Sequence, residues 1–471
     1  MRTVCSLGPV RGKTGKYGLC FLGVPYGKAR RFQPAMPCDP WIGERDCTHF
    51  GPFAFETDEK ENEWQTHGED CLNLNIFTPS CEGSRPVLVN LHGGAFQNGA
   101  ADRVEPFSGE FVYVDVNYRL GVWGFLQIGA SSGNNGIGDQ ILALQWIQRE
   151  IACFGGDPRR VTVMGLSAGA KSIGALLAAP AARVLFSQAI LSSGGTQSIR
   201  SRKTAGHIAR EFFRFAGCES DPSVLFTMKN EDLLRAQRQM CAGRNSTCLF
   251  GPVADGVIIP ENWEDELYTG RGWQGRILIG SNRSELFADE APRLQDQCRD
   301  LYGDNTPLAW RAADALLTGK QPDEAAVRTA WHRVHTDFMY RYYTDLLAGK
   351  LGNFLPVWNY SFDFLPATHG FDHGVLFDDC ADFPAEKWAD FEKMRDILRQ
   401  IYISFTLGET PSAEGMPVWT MYRAPEYAKM HLDIPCRMES HPQGDRLQGF
   451  PPGVIVREEE EESGGERFCS A

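Results

Sequence analysis

Apolar and polar positions divide the chain into strands and helices that follow one another in turn. "RPVLVNLHGGAF" (85–96) reads as a buried strand running into glycines, and "EFVYVDVNYRL" (110–120) as a second strand. Residues 137–154 change period: Ile141, Leu144, Ile147 and Ile151 recur at helical spacing. "GGDPRR" then turns the chain, "VTVMG" (161–165) is a strand, and "AGAKSIGALLAAP" (168–180) is a helix ended by Pro180. Strands are expected again at 186–195, 275–285 and 356–365, and an amphipathic helix at 395–411. This alternation predicts an α/β fold with a mostly parallel central sheet and helices on both faces. The helix-rich, charged segments 200–245 and 288–350 fit insertions that cap one end of the sheet. Neither a repeat nor a Ser/Gly/Pro-rich linker interrupts residues 1–435, which are expected to form a single domain. The charge run "REEEEESGGERFCSA" (457–471) is expected to be a disordered acidic tail.

Composition narrows the partners. With 42% hydrophobic and 23% charged residues, the 471-residue chain can bury a large core. A net charge of -13 disfavours nucleic acid and anionic membrane surfaces. No apolar run reaches the ~18 residues of a membrane span, and the N-terminus has no apolar signal core. A cytoplasmic protein is therefore expected. The 14 cysteines include no C-x-x-C pair, so neither a metal site nor a cofactor is expected. Cys241 and Cys248 could close a short loop, and most other cysteines read as buried or free thiols. The glycosylation sequons at Asn245, Asn282 and Asn359 read as chance matches.

Candidate chemistry centres on "VTVMGLSAGAKS" (161–172), where Ser167 lies between Gly165 and Gly169. The G-x-S-x-G spacing makes a sharp strand-to-helix turn that exposes a serine in a strained backbone. The helix behind it aims N–H groups at any negative charge formed there. A tetrahedral intermediate also needs an oxyanion hole. "LHGGAF" (91–96) supplies Gly94 and Ala95 as N–H donors, with Ala168 as the third; His92 shapes that loop.

Four stretches follow one another in a familiar order: "EDCLNLNIFTP" (69–79), "NLHGGAFQNG" (90–99), "GNNGIGDQILALQWIQREIACFGGDPRRVTVMGLSAGA" (133–170) and "FGPVADGVIIP" (250–260). They resemble the carboxylesterase type B family of α/β-hydrolases, which includes cholinesterases and bacterial para-nitrobenzyl esterases. "GPVRGKTGKYGLCFLGVPYGKARRFQP" and "ISFTLGETPSAEGMPVWTMY" extend the resemblance over about residues 8–425. It implies an α/β-hydrolase fold and a Ser–Glu–His triad acting on small to medium apolar carboxylic esters. The family's G-x-N-x-x-E stretch falls on "GSNRSELF", which makes Glu285 the acid. Its G-x-x-H-G stretch falls in "LPATHGFDHGVLF" (365–377) and makes His373 the base, with His369 as the rival. Phe96, Leu166, Phe287 and Phe377 are candidate pocket walls, although such residues are more often core.

Departures from the family pattern matter too. Leu166 stands where the family usually has glutamate, which argues against a cholinesterase-type site. Cys71 matches a cysteine that pairs in secreted members, but "HFGPFAFE" (49–56) lacks its partner, leaving Cys47 as the one substitute. After the histidine, "VLFDDC" replaces the usual wall segment. Cleavage of amides, carbamates or thioesters by the same triad is the alternative activity. A non-catalytic interaction protein of the same fold is the bulkier alternative. The sequence leaves monomer and dimer open.

Overall fold

The valine-rich runs form strands because their side chains are covered on both sides. Val87, Val89 and Leu91 join one apolar cluster and Leu88 the other, so the two-residue period of the strand sorts them onto opposite sheet faces. Val112, Val114 and Val116 against Tyr113, and Val161 and Val163 against Met164, divide in the same way. The computed structural model describes residues 1–58, 67–107, 109–129, 133–242, 249–285, 306–317, 323–381 and 383–440. The expected tail at 457–471 lies outside them.

One sheet of 11 strands organises the described chain. In chain order the strands are β1 (Lys13–Gly15), β2 (Gly18–Pro25), β3 (Asn73–Thr78), β4 (Arg85–Leu91), β5 (Val112–Val116) and β6 (Gly156–Leu166). They continue as β7 (Gln188–Ser192), β8 (Arg276–Asn282), β9 (Val357–Phe362), β10 (Ala428–Leu432) and β11 (Arg437–Ser440). Their spatial order is β11-β10-β9-β8-β7-β6-β4-β5-β3-β2-β1. The block from β5 to β10 is parallel, and the flanks are antiparallel.

Helices cover both faces, as the alternating pattern predicted. On one side lie α1 (Asn135–Glu150) and α2 (Ala168–Ala178), with Ile137, Ile147, Ile173 and Leu177 in the larger core. Helices α3 (Arg202–Phe215) and α4 (Asn230–Cys241) fall in the first expected insertion. Helices α5 (Thr306–Leu316), α6 (Glu324–Thr336) and α7 (Tyr342–Leu351) fall in the second, with a π-helical turn, Asp337–Arg341, joining the last two. The short helix α8 (Phe371–Phe377) precedes α9 (Trp388–Leu407), whose Phe391, Met394, Ile401 and Phe405 cover the opposite sheet face. The sequence reading did not predict strands β1 to β3, nor β10 and β11, which extend the sheet beyond β9.

Register fixes where chemistry can gather. Gly165 pairs with Leu91, Leu166 with Ser192, and Ser192 with Gly280. The carboxyl ends of β4, β6, β7 and β8 therefore lie at one edge. That edge of a parallel sheet is where loops build ligand sites.

Candidate active site

Ser167 sits where β6 stops and α2 starts, with φ 55° and ψ -118°. A non-glycine residue rarely holds that conformation, which costs about 1–3 kcal/mol and persists only where neighbours enforce it. Its N–H donates to the Ser192 carbonyl at 2.9 Å, and its own carbonyl accepts from Lys171 N–H. The flanking glycines are required by close approach. A Cβ on Gly165 would lie 2.5 Å from the Gly169 carbonyl carbon, and one on Gly169 2.0 Å from the Leu91 carbonyl oxygen. Gly169→Ala is therefore expected to destabilise the protein by about 3 kcal/mol or to prevent folding, read by denaturant unfolding.

The loop after β4 lies directly against this turn. A Cβ on Gly93 would be 2.8 Å from Leu166 O and 3.4 Å from Ser167 Cβ. Gly94, Ala95 and Phe96 all have positive φ, at 107°, 54° and 61°. This coiling is pinned by Gln97 and Asn98 N–H groups donating to Gly94 O, and by Gly121 N–H donating to Phe96 O. Among the described residues, no acceptor engages the N–H groups of Gly94, Ala95 or Ala168. His92 stays behind the loop. Its ring stacks on Tyr118 at 4.3 Å, and its Nδ1 meets Gly93 O at 2.9 Å. Burial pushes its pKa down to about 4.

Glu285 is fully buried just past β8. Its Oε1 accepts from Ser193 Oγ at 2.7 Å and from Asn282 N–H at 2.8 Å. Its Oε2 meets His369 Nδ1 at 2.7 Å. The two loops are zipped together at the backbone: Ser284 N–H donates to Ala367 O, and His369 N–H to Glu285 O at 3.1 Å. Asn282 Nδ2 adds a bond to Thr368 O at 2.7 Å. A Cβ on the next residue, Gly370, would fall 3.3 Å from Leu166 Cδ2, so this loop faces the residue before Ser167.

The expectation for His373 is not met. The imidazole that reaches Glu285 is His369, the rival. His373 lies within α8, one turn past the left-handed Gly370. Its ring packs near Phe377 at 5.8 Å, its Nε2 is buried without a partner, and desolvation lowers its pKa to about 4. A histidine with a folded pKa near 4 and an unfolded value near 6.5 binds its proton more readily when unfolded. Stability is therefore lost as pH falls from about 6.5 towards 4. His373→Gln should flatten that acid limb, measured by denaturant unfolding at several pH values; an unchanged slope would contradict the burial argument.

The candidate pocket residues separate. Phe96 is buried in the loop after β4, edge-on to Phe125 at 5.0 Å. Leu166 lies beside the His369–Gly370 loop, where a Cβ on Gly370 would come within 3.3 Å of its Cδ2. Phe377 packs beside Tyr113 in the cluster on the opposite sheet face, with Arg103 over its ring, and so belongs to core packing there. Phe287 and Cys248 lie outside the described residues. Sequence reading missed Ser193, whose φ of 55° turns its hydroxyl onto Glu285. The "SSGG" run at the end of β7 was the available signal.

Comparison with known proteins gives this geometry its context. The family model described as "Carboxylesterase family" matches residues 2–449. The chain belongs to the carboxylesterase family. It is 30% identical over 489 residues to the para-nitrobenzyl esterase of Bacillus subtilis (strain 168), covering 94% of this chain and 97% of that one. It is 30% identical to the liver carboxylesterase of Sus scrofa, over 85% and 83% of the two chains. A solved carboxylesterase of Geobacillus stearothermophilus superposes with a TM-score of 0.82 at 30% identity, covering 94% of this chain and 98% of that one. The protein is thus an α/β-hydrolase and an enzyme that hydrolyses carboxylic esters, with small-molecule esters as its substrates. In this carboxylesterase, Cys47 and Cys71 are both buried free thiols, and burial pushes Cys71 up to about 12. Among the described residues no cluster could hold a metal ion, and no helix is long and apolar enough to cross a membrane.

Proposed function

We propose that the enzyme cleaves small to medium apolar carboxylic esters through an acyl-enzyme on Ser167, with His369 as base and Glu285 as acid. The observation that carries this reading is the pairing of half-buried His369 with fully buried Glu285, held at 2.7 Å on loops that face the Ser167 turn. His369 Nε2 takes the hydroxyl proton as Ser167 Oγ attacks the carbonyl carbon. It returns that proton to the leaving alkoxide, then activates water for deacylation. Glu285 fixes the tautomer with the proton on Nδ1 and stabilises the imidazolium. Ser193 and Asn282 hold the carboxylate for that task. Gly94, Ala95 and Ala168 N–H groups receive the oxyanion, each worth about 3 kcal/mol in the transition state. Phe96 and Leu166 bound the substrate site. Leu166 next to the nucleophile keeps it apolar, suiting general esters rather than cationic ones.

Residues 1–435 act as one catalytic unit in this reading, with the segments 200–245 and 288–350 as insertions. The buried thiols of Cys47 and Cys71 suit a cytoplasmic setting. A panel of para-nitrophenyl acetate, butyrate and octanoate beside matched anilide, carbamate and thioester substrates tests the specificity. Higher kcat/KM on the acetate or butyrate than on every non-ester supports the reading, and an anilide or carbamate preferred tenfold overturns it.

A further inference from the structure

The second helical insertion does more than cover the sheet edge. Where α6 passes into α7, the backbone opens into the π-helical turn Asp337–Arg341, a distortion that recurs at functional sites. Residues in and beside this turn contact both members of the acid–base pair and the segments next to them. Thr336 Oγ1 accepts the Glu285 N–H at 3.1 Å. Arg341 donates to Arg283 O at 3.0 Å while paired with Asp337. Gln197, a few residues beyond Ser193, donates to Met339 O at 3.2 Å. Tyr340 lays its ring against the His369 imidazole, with centroids 4.7 Å apart. The ammonium of Lys171, a buried residue one turn behind Ser167, stands 5.4 Å from the centre of the same Tyr340 ring.

We infer that Tyr340 is a positioning residue that fixes the plane of His369, and that Lys171 anchors it to the nucleophile's own helix. The inference rests on His369 being the base. A hydrogen bond at Nδ1 alone leaves the imidazole free to swing about that bond. A flat ring packed on its side removes that freedom and keeps Nε2 aimed at the serine. The cation over the Tyr340 ring holds that ring in turn, because the π face attracts a buried ammonium. Three elements are thereby tied together: the nucleophile's helix, the insertion and the histidine loop.

The test compares Tyr340→Leu, Tyr340→Phe and Lys171→Met in the full chain. Tyr340→Leu should lower kcat for para-nitrophenyl butyrate about tenfold or more, with KM within twofold. Tyr340→Phe keeps the flat ring and should restore kcat to within about threefold of the native enzyme. Lys171→Met should fall between the two. The independent readout is the low-field proton resonance of the His369 Nδ1–H···Glu285 bond, assigned by its loss in His369→Ala. It should be sharp in the native enzyme and Tyr340→Phe, and broadened in Tyr340→Leu with the melting temperature retained. A sharp resonance and native kcat in Tyr340→Leu overturn the inference, as does a KM-only effect. Native activity in His369→Ala would instead sink the base assignment, while the resonance would still report whether Tyr340 holds the ring.

Discussion

Ser167→Ala is expected to lose about 10⁴-fold or more in kcat/KM on para-nitrophenyl butyrate, with its unfolding transition within a few degrees of the native one. The size follows from what the hydroxyl does. It is the atom that bonds to the acyl carbon, and neither the oxyanion donors nor the imidazole replaces that bond. The small structural cost follows from the backbone. The Ser167 N–H and C=O make the local bonds, to Ser192 O and from Lys171 N–H, and alanine keeps both. Among the described residues the side-chain hydroxyl carries no hydrogen bond that its loss would break. Alanine also inherits the strained φ of 55°, so the turn neither relaxes nor collapses. Rates within tenfold of native in a purified, folded variant would contradict the role of Ser167.

The second large effect separates two histidines four residues apart. His369→Ala should lower kcat/KM by about 10³-fold or more, whereas His373→Ala should stay within about fivefold. Of the two, His369 is the one paired with the buried carboxylate. Its Nδ1 is held by a buried carboxylate, and it sits before Gly370 on a loop facing Leu166. His373 is turned into the packing around Phe377, and its depressed pKa comes from desolvation. The reverse pattern of losses would restore His373 as the base.

The sequence revealed whatever local pattern dictates. Strands β4 to β9 showed because both faces are buried, which writes near-continuous apolar runs such as "VLVNL" and "RILIG". The nucleophile turn was legible because Gly165 and Gly169 answer to contacts under 3 Å that no side chain survives. Glu285 was placed by motif spacing, and the structure sets it beside an imidazole. The sequence pattern did not show which imidazole meets Glu285, because His369 and His373 are both followed by glycine. What separates them is the left-handed turn at Gly370 (φ 77°), which starts α8 and sends His373 to the other side of the chain. Strands β10 and β11 were missed because "AKMHL" and "RMES" carry polar residues where an apolar run was sought. One of these, Lys429, is buried where Asp345 of α7 meets it at 2.8 Å. Ser193, marked only by its "SSGG" run, and Thr336 and Tyr340 took their roles from tertiary contacts. Each acts through a contact made 29 to 92 residues away in the chain.

In the proposed mechanism Ser167 is the nucleophile and His369 activates it. The most direct measurement is mass analysis of the peptide carrying Ser167 after reaction with a fluorophosphonate, timed in the native enzyme, His369→Ala and His373→Ala. One adduct per chain is expected, located on Ser167 and forming in step with loss of esterase activity. Labelling should be slowed about 10³-fold by His369→Ala and scarcely by His373→Ala. An adduct on another residue, or equal labelling rates in the native enzyme and His369→Ala, would contradict it.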